Sequence, residues 1–323
     1  MTATDPAATP APLSPAGTQL AADVPAGLSV RMLRLDDARA VYEVMARQQQ
    51  ADLGRVDIEE ADIVGDWQRP SFDVTTRTIG VFDGAQLVGY AELGRSGRCD
   101  AAVDPAYSGR GIGTSLARWM QARAAEEGEP TIGMPVPVGS PGDQLLEALG
   151  YRVRWTSWVL QLPDGVDVAP RDLPAGYTVR EARAEEYPAA HEVIEDAFLE
   201  WSAREREPFA DFEAEVVRRP GAAPWNLRVV VDPQGQVVAA GIVQLGLDFD
   251  PPEAFVSRLA TRRDLRGQGL AQALLVDCFT EARRHGARRS GLSTDSRTGA
   301  LGLYEKVGMV VTDTWVNRAI DVS

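Results

Sequence analysis

The first ordered pattern along the chain is Gly27–Leu33 (GLSVRML), whose alternation of apolar and polar positions predicts a short strand. Asp36-Asp37 follows, then apolar residues at Val41, Val44 and Met45, the spacing of a capped amphipathic helix. The same pattern returns at Gly176-Tyr-Thr-Val-Arg180, Glu185-Glu186, Ala189, Val193 and Ile194. These segments align without gaps at an offset of 149, placing Val30 on Val179 and Val44 on Val193. Further on, Ser108–Gly113 (SGRGIG) aligns with Arg266–Ala271 (RGQGLA), and Leu146–Tyr151 aligns with Tyr304–Met309, both at an offset of 158. Three matches in one order, two sharing an offset, indicate a duplicated domain with a small insertion in the second copy.

Each copy reads as strand, helices, hairpin strands, a strand, a Gly-rich turn, a helix, a strand, a helix and final strands. Thr78–Phe82 and Gln86–Leu93 flank Asp83-Gly84, a hairpin signal; Leu227–Val231 and Gln236–Leu245 flank Asp232–Gly235 in the second copy. The predicted class is α/β, a mixed sheet with flanking helices, built twice. Residues 1–26 are Ala, Pro, Thr and Ser with little periodic apolar content, and are expected to be a disordered tail. The copies then span 27–162 and 175–323, joined by a Pro-rich linker at 163–174.

Composition narrows the function. The net charge of −14 disfavours phosphate-backbone binding, so no nucleic-acid partner is expected. No run approaches the ~18 apolar residues of a membrane span, and no signal-peptide pattern opens the chain, so a cytoplasmic protein without a membrane partner is expected. Two cysteines, Cys99 and Cys278, and two histidines, His191 and His285, lack metal-ligand spacing, so no metal is expected. Both histidines fit helix surfaces.

The segment with most chemistry is Val256–Thr261, a strand, followed by a turn holding Gly267 and Gly269 and a helix to about His285. Exposed N–H groups and the helix dipole at such a turn can hold phosphate oxygens, with Arg262, Arg263 and Arg266 adding charge; a plain helix-initiating turn has the same glycines. Tyr304 lies 35 residues beyond Gly269, on an amphipathic helix where packing alone would also explain it. Trp201, Phe209, Phe212 and Trp225 precede or flank the second hairpin, either as core or as the lining of an acceptor pocket.

Arg266-x-x-Gly269-x-Ala271 resembles the Arg/Gln-x-x-Gly-x-Gly/Ala signature of the GCN5-related N-acetyltransferase (GNAT) superfamily, and Ala300-x-x-Leu303-Tyr304-x-x-x-Gly308 resembles its second signature, with Met309 in place of an aromatic. The resemblance spans nearly all residues after Ala26 and implies two tandem GNAT-like domains. It implies acetyl-CoA as co-substrate. Leu259, Ala260 and Thr261 would pair with its pantetheine arm, and Arg266, Gly267, Gln268, Gly269, Leu270 and Ala271 would hold its diphosphate. Tyr304 would be the general acid to the departing thiolate, since a phenol is protonated at neutral pH. A backbone N–H near Leu259 or Ala260, where the family's strand bulges, would meet the oxyanion. In the first copy, Gly109, Arg110, Gly111, Ile112 and Gly113 keep the loop, but Ser108 and Leu146 replace Arg266 and Tyr304, so that copy is expected to be degenerate. Candidate bases are Glu253, foremost, then Asp248, Asp250 and Asp295. The implied activity is direct acetyl transfer to a primary amine of a small molecule. Acetylation of proteins or peptides, and a non-catalytic CoA-binding regulatory module, are the alternatives, and no oligomeric state is implied.

Overall fold

The computed structural model describes residues 12–163 and 165–322. Helix α1 (Pro15–Asp23) precedes the first copy. That copy contains β1 (Leu28–Arg31), α2 (Ala38–Leu53), α3 (Glu60–Trp67), α4 (Val74–Arg77), β2 (Thr78–Asp83), β3 (Gln86–Leu93), β4 (Cys99–Val103), α5 (Ile112–Glu127), β5 (Thr131–Pro137), α6 (Pro141–Ala148) and β6 (Arg152–Gln161). The second contains β7 (Thr178–Glu181), α7 (Tyr187–Phe198), α8 (Phe209–Phe212), β8 (Leu227–Val231), β9 (Val237–Gly246), β10 (Glu253–Thr261), α9 (Leu270–Arg284), β11 (Arg289–Asp295), α10 (Leu301–Lys306) and β12 (Val310–Asp321).

Helix α1 corrects the expected disordered tail over 15–23; the part of that expectation covering residues 1–11 lies outside the described residues. Ser14 caps the helix by accepting from the Gly17 N–H, and Pro15 starts it with the φ a first turn needs. Ala16, Leu20 and Val24 fall four residues apart and bury against α5 and the first sheet. Three apolar residues on one face suffice because the helix lies on a surface already built.

Strands β1-β2-β3-β4 form one sheet, and the other has the order β5-β12-β6-β11-β10-β9-β8-β7. The last strand of each copy has therefore crossed to the other: β12 pairs with β5 (Val316 opposite Val136), and β6 pairs with β11 (Leu160 opposite Leu292). A single parallel bridge, Arg98 to Gly133, links β4 to β5. The exchange carries the cores with it. Val316 buries among first-copy residues, and Leu160 and Leu162 bury among second-copy residues. Each fully buried aliphatic side chain contributes about 1.5–3 kcal/mol, so the copies share core and sheet alike.

What positions the site is the middle of the second copy. β10 runs parallel to β11 only from Glu253 to Val256, paired with Arg289 to Leu292. A bulge then falls at Ser257, between Val256 and Arg258 in the register with β9. Beyond it β10 keeps β9 as partner while its other edge leaves β11, opening a cleft between the two parallel strands.

Candidate functional site

The opened edge of β10 delivers the chain to the predicted loop. Gly267 and Gly269 adopt φ of +77° and +85°, a region that penalises any residue with a β-carbon. Gly269 is the N-cap of α9 and has no side chain to satisfy the first N–H groups, and no acidic residue occupies the first turn. Those donors and the positive end of a 15-residue helix face the cleft. The Arg266 guanidinium pairs with Glu200 at 2.6 Å and donates from Nε to the Thr261 carbonyl at 3.2 Å, fixing the start of the loop.

The cleft has a volume of about 630 Å³ and is lined by Leu259, Ala260 and Thr261, by most of the loop, and by Tyr304. Tyr304 is buried, and burial pushes its phenol pKa up to about 12. No described group hydrogen-bonds that phenol, so its proton is free for a molecule in the cleft. The structure thus brings together the strand, loop and tyrosine that the sequence singled out. The bulge sits at Ser257 rather than at Leu259 or Ala260, two residues nearer the parallel pairing.

The first copy keeps an exposed loop backbone but narrows the space beside it. Gly109 and Gly111 have φ of +75° and +88°, and Arg110 folds back over the Tyr107 ring. Ile112 is buried at the start of α5. A β-carbon on Gly113 would lie 2.9 Å from the Leu145 side chain, because α6 packs on the start of α5. The matching residue in the second copy, Leu303, is 49% exposed. Leu146, at the position of Tyr304, is buried core.

A second cavity, of about 720 Å³, lies between the copies. Phe198, Trp201 and Ser257 line both cavities, so the two spaces meet at the bulge. Beside this junction the Arg297 guanidinium lies 3.6 Å from the centre of the Trp155 ring and 4.6 Å from that of Trp201. Trp155 belongs to β6 of the first copy, and the strand exchange puts it there. Arg154, Trp155 and Ser157 were not singled out from the sequence, since nothing local marks a strand that crosses to the other copy.

Trp201 and Trp225 line the chamber, whereas Phe212 is wholly buried and Phe209 packs beside it. The expectation that both histidines lie on helix surfaces holds for His285, exposed at the C-cap of α9, and fails for His191. His191 is 2% exposed, with its ring 5.1 Å from that of Phe212, and His285 stacks on Trp225 at 4.2 Å. Helix α7 turns its apolar face inward at His191 because Phe209 and Phe212 cover it.

The foremost candidate base is not brought to the cleft. Glu253 begins β10, at the end opposite Thr261, where its carboxylate sits 3.1 Å from Arg289 and accepts from Gln161. Parallel pairing with β11 encloses this end of the strand, which is why Glu253 is buried in an ion pair instead of facing substrate space. Asp248 and Asp250 line neither cavity. Asp295 lines the cleft, but Arg297 occupies its carboxylate. The chamber supplies other acids: burial and the nearby Asp100 and Asp66 carboxylates raise Glu92 to about 8, and burial with Glu215 raises Asp66 to about 6. Arg258, also on the chamber wall, is held by Glu207 at 2.9 Å and Glu215 at 2.8 Å.

Comparison with known proteins decides the family. Residues 39–138 and 179–309 match the family model for the acetyltransferase (GNAT) family, once in each copy. The chain belongs to the GNAT family. As an acetyltransferase it is 30% identical over 273 residues to a mycothiol acetyltransferase of Salinispora tropica, covering 77% of this chain and 81% of that one. It is 29% identical over 265 residues to the mycothiol acetyltransferase of Salinispora arenicola, covering 74% and 80%. Among solved structures, a GCN5-related N-acetyltransferase from Sphaerobacter thermophilus shares the fold with a TM-score of 0.70 at 24% identity, over 93% of this chain and 97% of that one. A tandem GNAT protein from the clavulanic acid biosynthesis pathway gives 0.68 at 18% identity, over 92% and 99%. The GNAT fold is thus repeated twice in this acetyltransferase, with the final strands exchanged. No described helix is long and apolar enough to cross a membrane.

Proposed function

We propose that the second copy binds acetyl-CoA in the cleft and transfers its acetyl group directly to a primary amine of a small molecule held in the chamber. The observation that carries this reading is the junction at Ser257: a cleft with an uncapped helix N-terminus at one end opens into an inter-copy chamber at the other. The donor's diphosphate would rest on the amides at Gly267–Ala271, and its pantetheine arm would pair with the free edge of β10 from Leu259 to Thr261. The thioester carbonyl then lies by the bulge, where backbone N–H groups meet the developing oxyanion.

The neutral amine attacks the carbonyl carbon, the C–S bond breaks, and the phenol of Tyr304 donates its proton toward the departing sulfur. The proton released by the amine passes to water or to the chamber's carboxylates. Both cysteines are buried and burial raises their thiol pKa values, so neither offers a thiolate for a covalent acetyl intermediate. Enclosure of the chamber between two copies favours a small acceptor over a protein segment. The first copy would hold no donor, because Leu145 of α6 closes on Gly113 at the start of α5 and narrows the space beside the loop.

The test is release of free thiol from acetyl-CoA with a panel of small amines, peptides as the comparison arm. Turnover with a small amine, strongly reduced in Tyr304→Phe, supports the reading. Turnover on peptides alone, or none with any acceptor, refutes it.

A further inference from the structure

The segment between the copies contains neither helix nor strand from Leu162 to Tyr177 among the described residues, yet it is tied closely to the second copy. The Val168 side chain is buried in that copy's core. Asp167 pairs with Arg283 of α9 at 2.6 Å, and the Ala169 carbonyl accepts from Gln272 in the first turns of α9 at 2.8 Å. These ties lay the chain along the helix toward its N-terminus, and the next side chain beyond Pro170 is Arg171.

Arg171 reaches over the phosphate loop. A β-carbon built on Gly269 would lie 2.6 Å from Arg171 Nε and 2.7 Å from its Cγ, so the side chain rests on the bare backbone of the α9 N-cap. Arg171 lines the cleft together with Arg266, Gly267, Gly269 and Gln272. Arg266 is already neutralised by Glu200. Arg171 has no ion pair or hydrogen bond with any described residue. It is the one loop-facing guanidinium of the two whose charge is not already spent. Counting back from Gly27 and Gly176, the first copy carries Ala22 at the matching place, so the arginine belongs to the second copy alone.

We propose that Arg171, from the inter-copy segment, is a donor-binding residue whose guanidinium takes the diphosphate of acetyl-CoA on the side opposite the loop amides. The inference rests on the donor reading above. Planar, permanently charged and forked, a guanidinium suits two phosphate oxygens. The ties through Asp167, Val168 and Ala169 hold it there with little ordering left to do on binding.

The test uses the full chain as wild type, Arg171→Ala and Arg171→Gln, with donor affinity measured by calorimetry for acetyl-CoA and for acetyl-3′-dephospho-CoA. Acetyl-pantetheine, which carries no phosphate, serves as donor in a rate assay. Because Arg171 is exposed, both variants should keep the wild-type melting temperature. The expected result is about tenfold weaker binding in both variants, by the same factor for the two nucleotides, with kcat/KM for acetyl-pantetheine unchanged. Unchanged nucleotide affinity overturns the proposal. So does a defect confined to the donor with the 3′-phosphate, which would place the arginine elsewhere on the nucleotide, or a defect that persists with acetyl-pantetheine. Should wild type bind neither nucleotide, the donor reading falls and this proposal with it; wild-type binding that the variants match leaves the donor reading standing and removes only Arg171.

Discussion

Removing one oxygen tests how the site handles the leaving group. Tyr304→Phe keeps the ring volume, and because no described residue hydrogen-bonds the phenol, the fold loses no internal bond. The melting temperature should therefore stay within about one degree of wild type. The phenol pKa is pushed up to about 12 by burial, and an ordinary thiol titrates near ~8.5. Full proton transfer from the phenol to a free thiolate is then uphill by several pKa units, at 1.36 kcal/mol each. The hydroxyl is accordingly worth a hydrogen bond to a charged acceptor while the C–S bond breaks, about 1.5–3 kcal/mol, or roughly 10- to 150-fold in kcat. The same pKa keeps the group protonated through pH 10, so Tyr304 should cause no alkaline fall in kcat below that pH. The assay is steady-state thiol release under saturating donor, with donor KM measured alongside. A kcat within twofold of wild type, or a loss carried wholly by the donor KM, would refute the reasoning.

Other residues give independent tests. Gly269→Ala puts a β-carbon at a φ of +85° and against Arg171, so about 1–2 kcal/mol of strain should appear as a raised donor KM with kcat preserved at saturation; an unchanged KM would count against the loop's role. Arg258 separates Glu207 from Glu215 in a half-buried triad, so Arg258→Met should cost at most about 3–5 kcal/mol in chemical denaturation at pH 7 and less at pH 5, where the two freed carboxylates can take protons. Glu92 holds its proton more tightly folded, at about 8, than unfolded, at 4.5, so its contribution to stability is present below pH 4.5 and is lost as pH rises toward 8. Glu92→Gln should accordingly flatten the fall in melting temperature between pH 5 and pH 8 and melt above wild type at pH 8; parallel curves would show that the carboxyl is not the cause.

The parts legible in the sequence are those written in local pattern. Gly267 and Gly269 need positive φ, the strand leading to them needs alternating residues, and the repeat offsets state the duplication outright, so loop and strand can be placed from the residues alone, whereas Tyr304 is singled out by the family resemblance. What escapes such reading depends on long-range pairing. β6 and β12 carry the same pattern whichever copy they join, so their exchange, and with it the arrival of Trp155 at the junction, leaves no trace in either segment. Glu253 looks available because it stands beside a Pro-rich loop, but the register with β11 puts it opposite Arg289. Helix α1 escapes for another reason: its stripe of three apolar residues gains its meaning only from α5 beneath it. His191 likewise reads as a polar position until Phe209 and Phe212 are folded over it.

The central claim is that one copy holds a donor and the other, with the space beside its loop narrowed at Gly113, holds none. Native mass spectrometry of the full chain across an acetyl-CoA titration counts this directly. The account predicts a single donor molecule per chain at saturation, and none in a variant whose second-copy loop is blocked by Gly267→Trp. Two donors per chain, or one that survives the blocked loop, would contradict it.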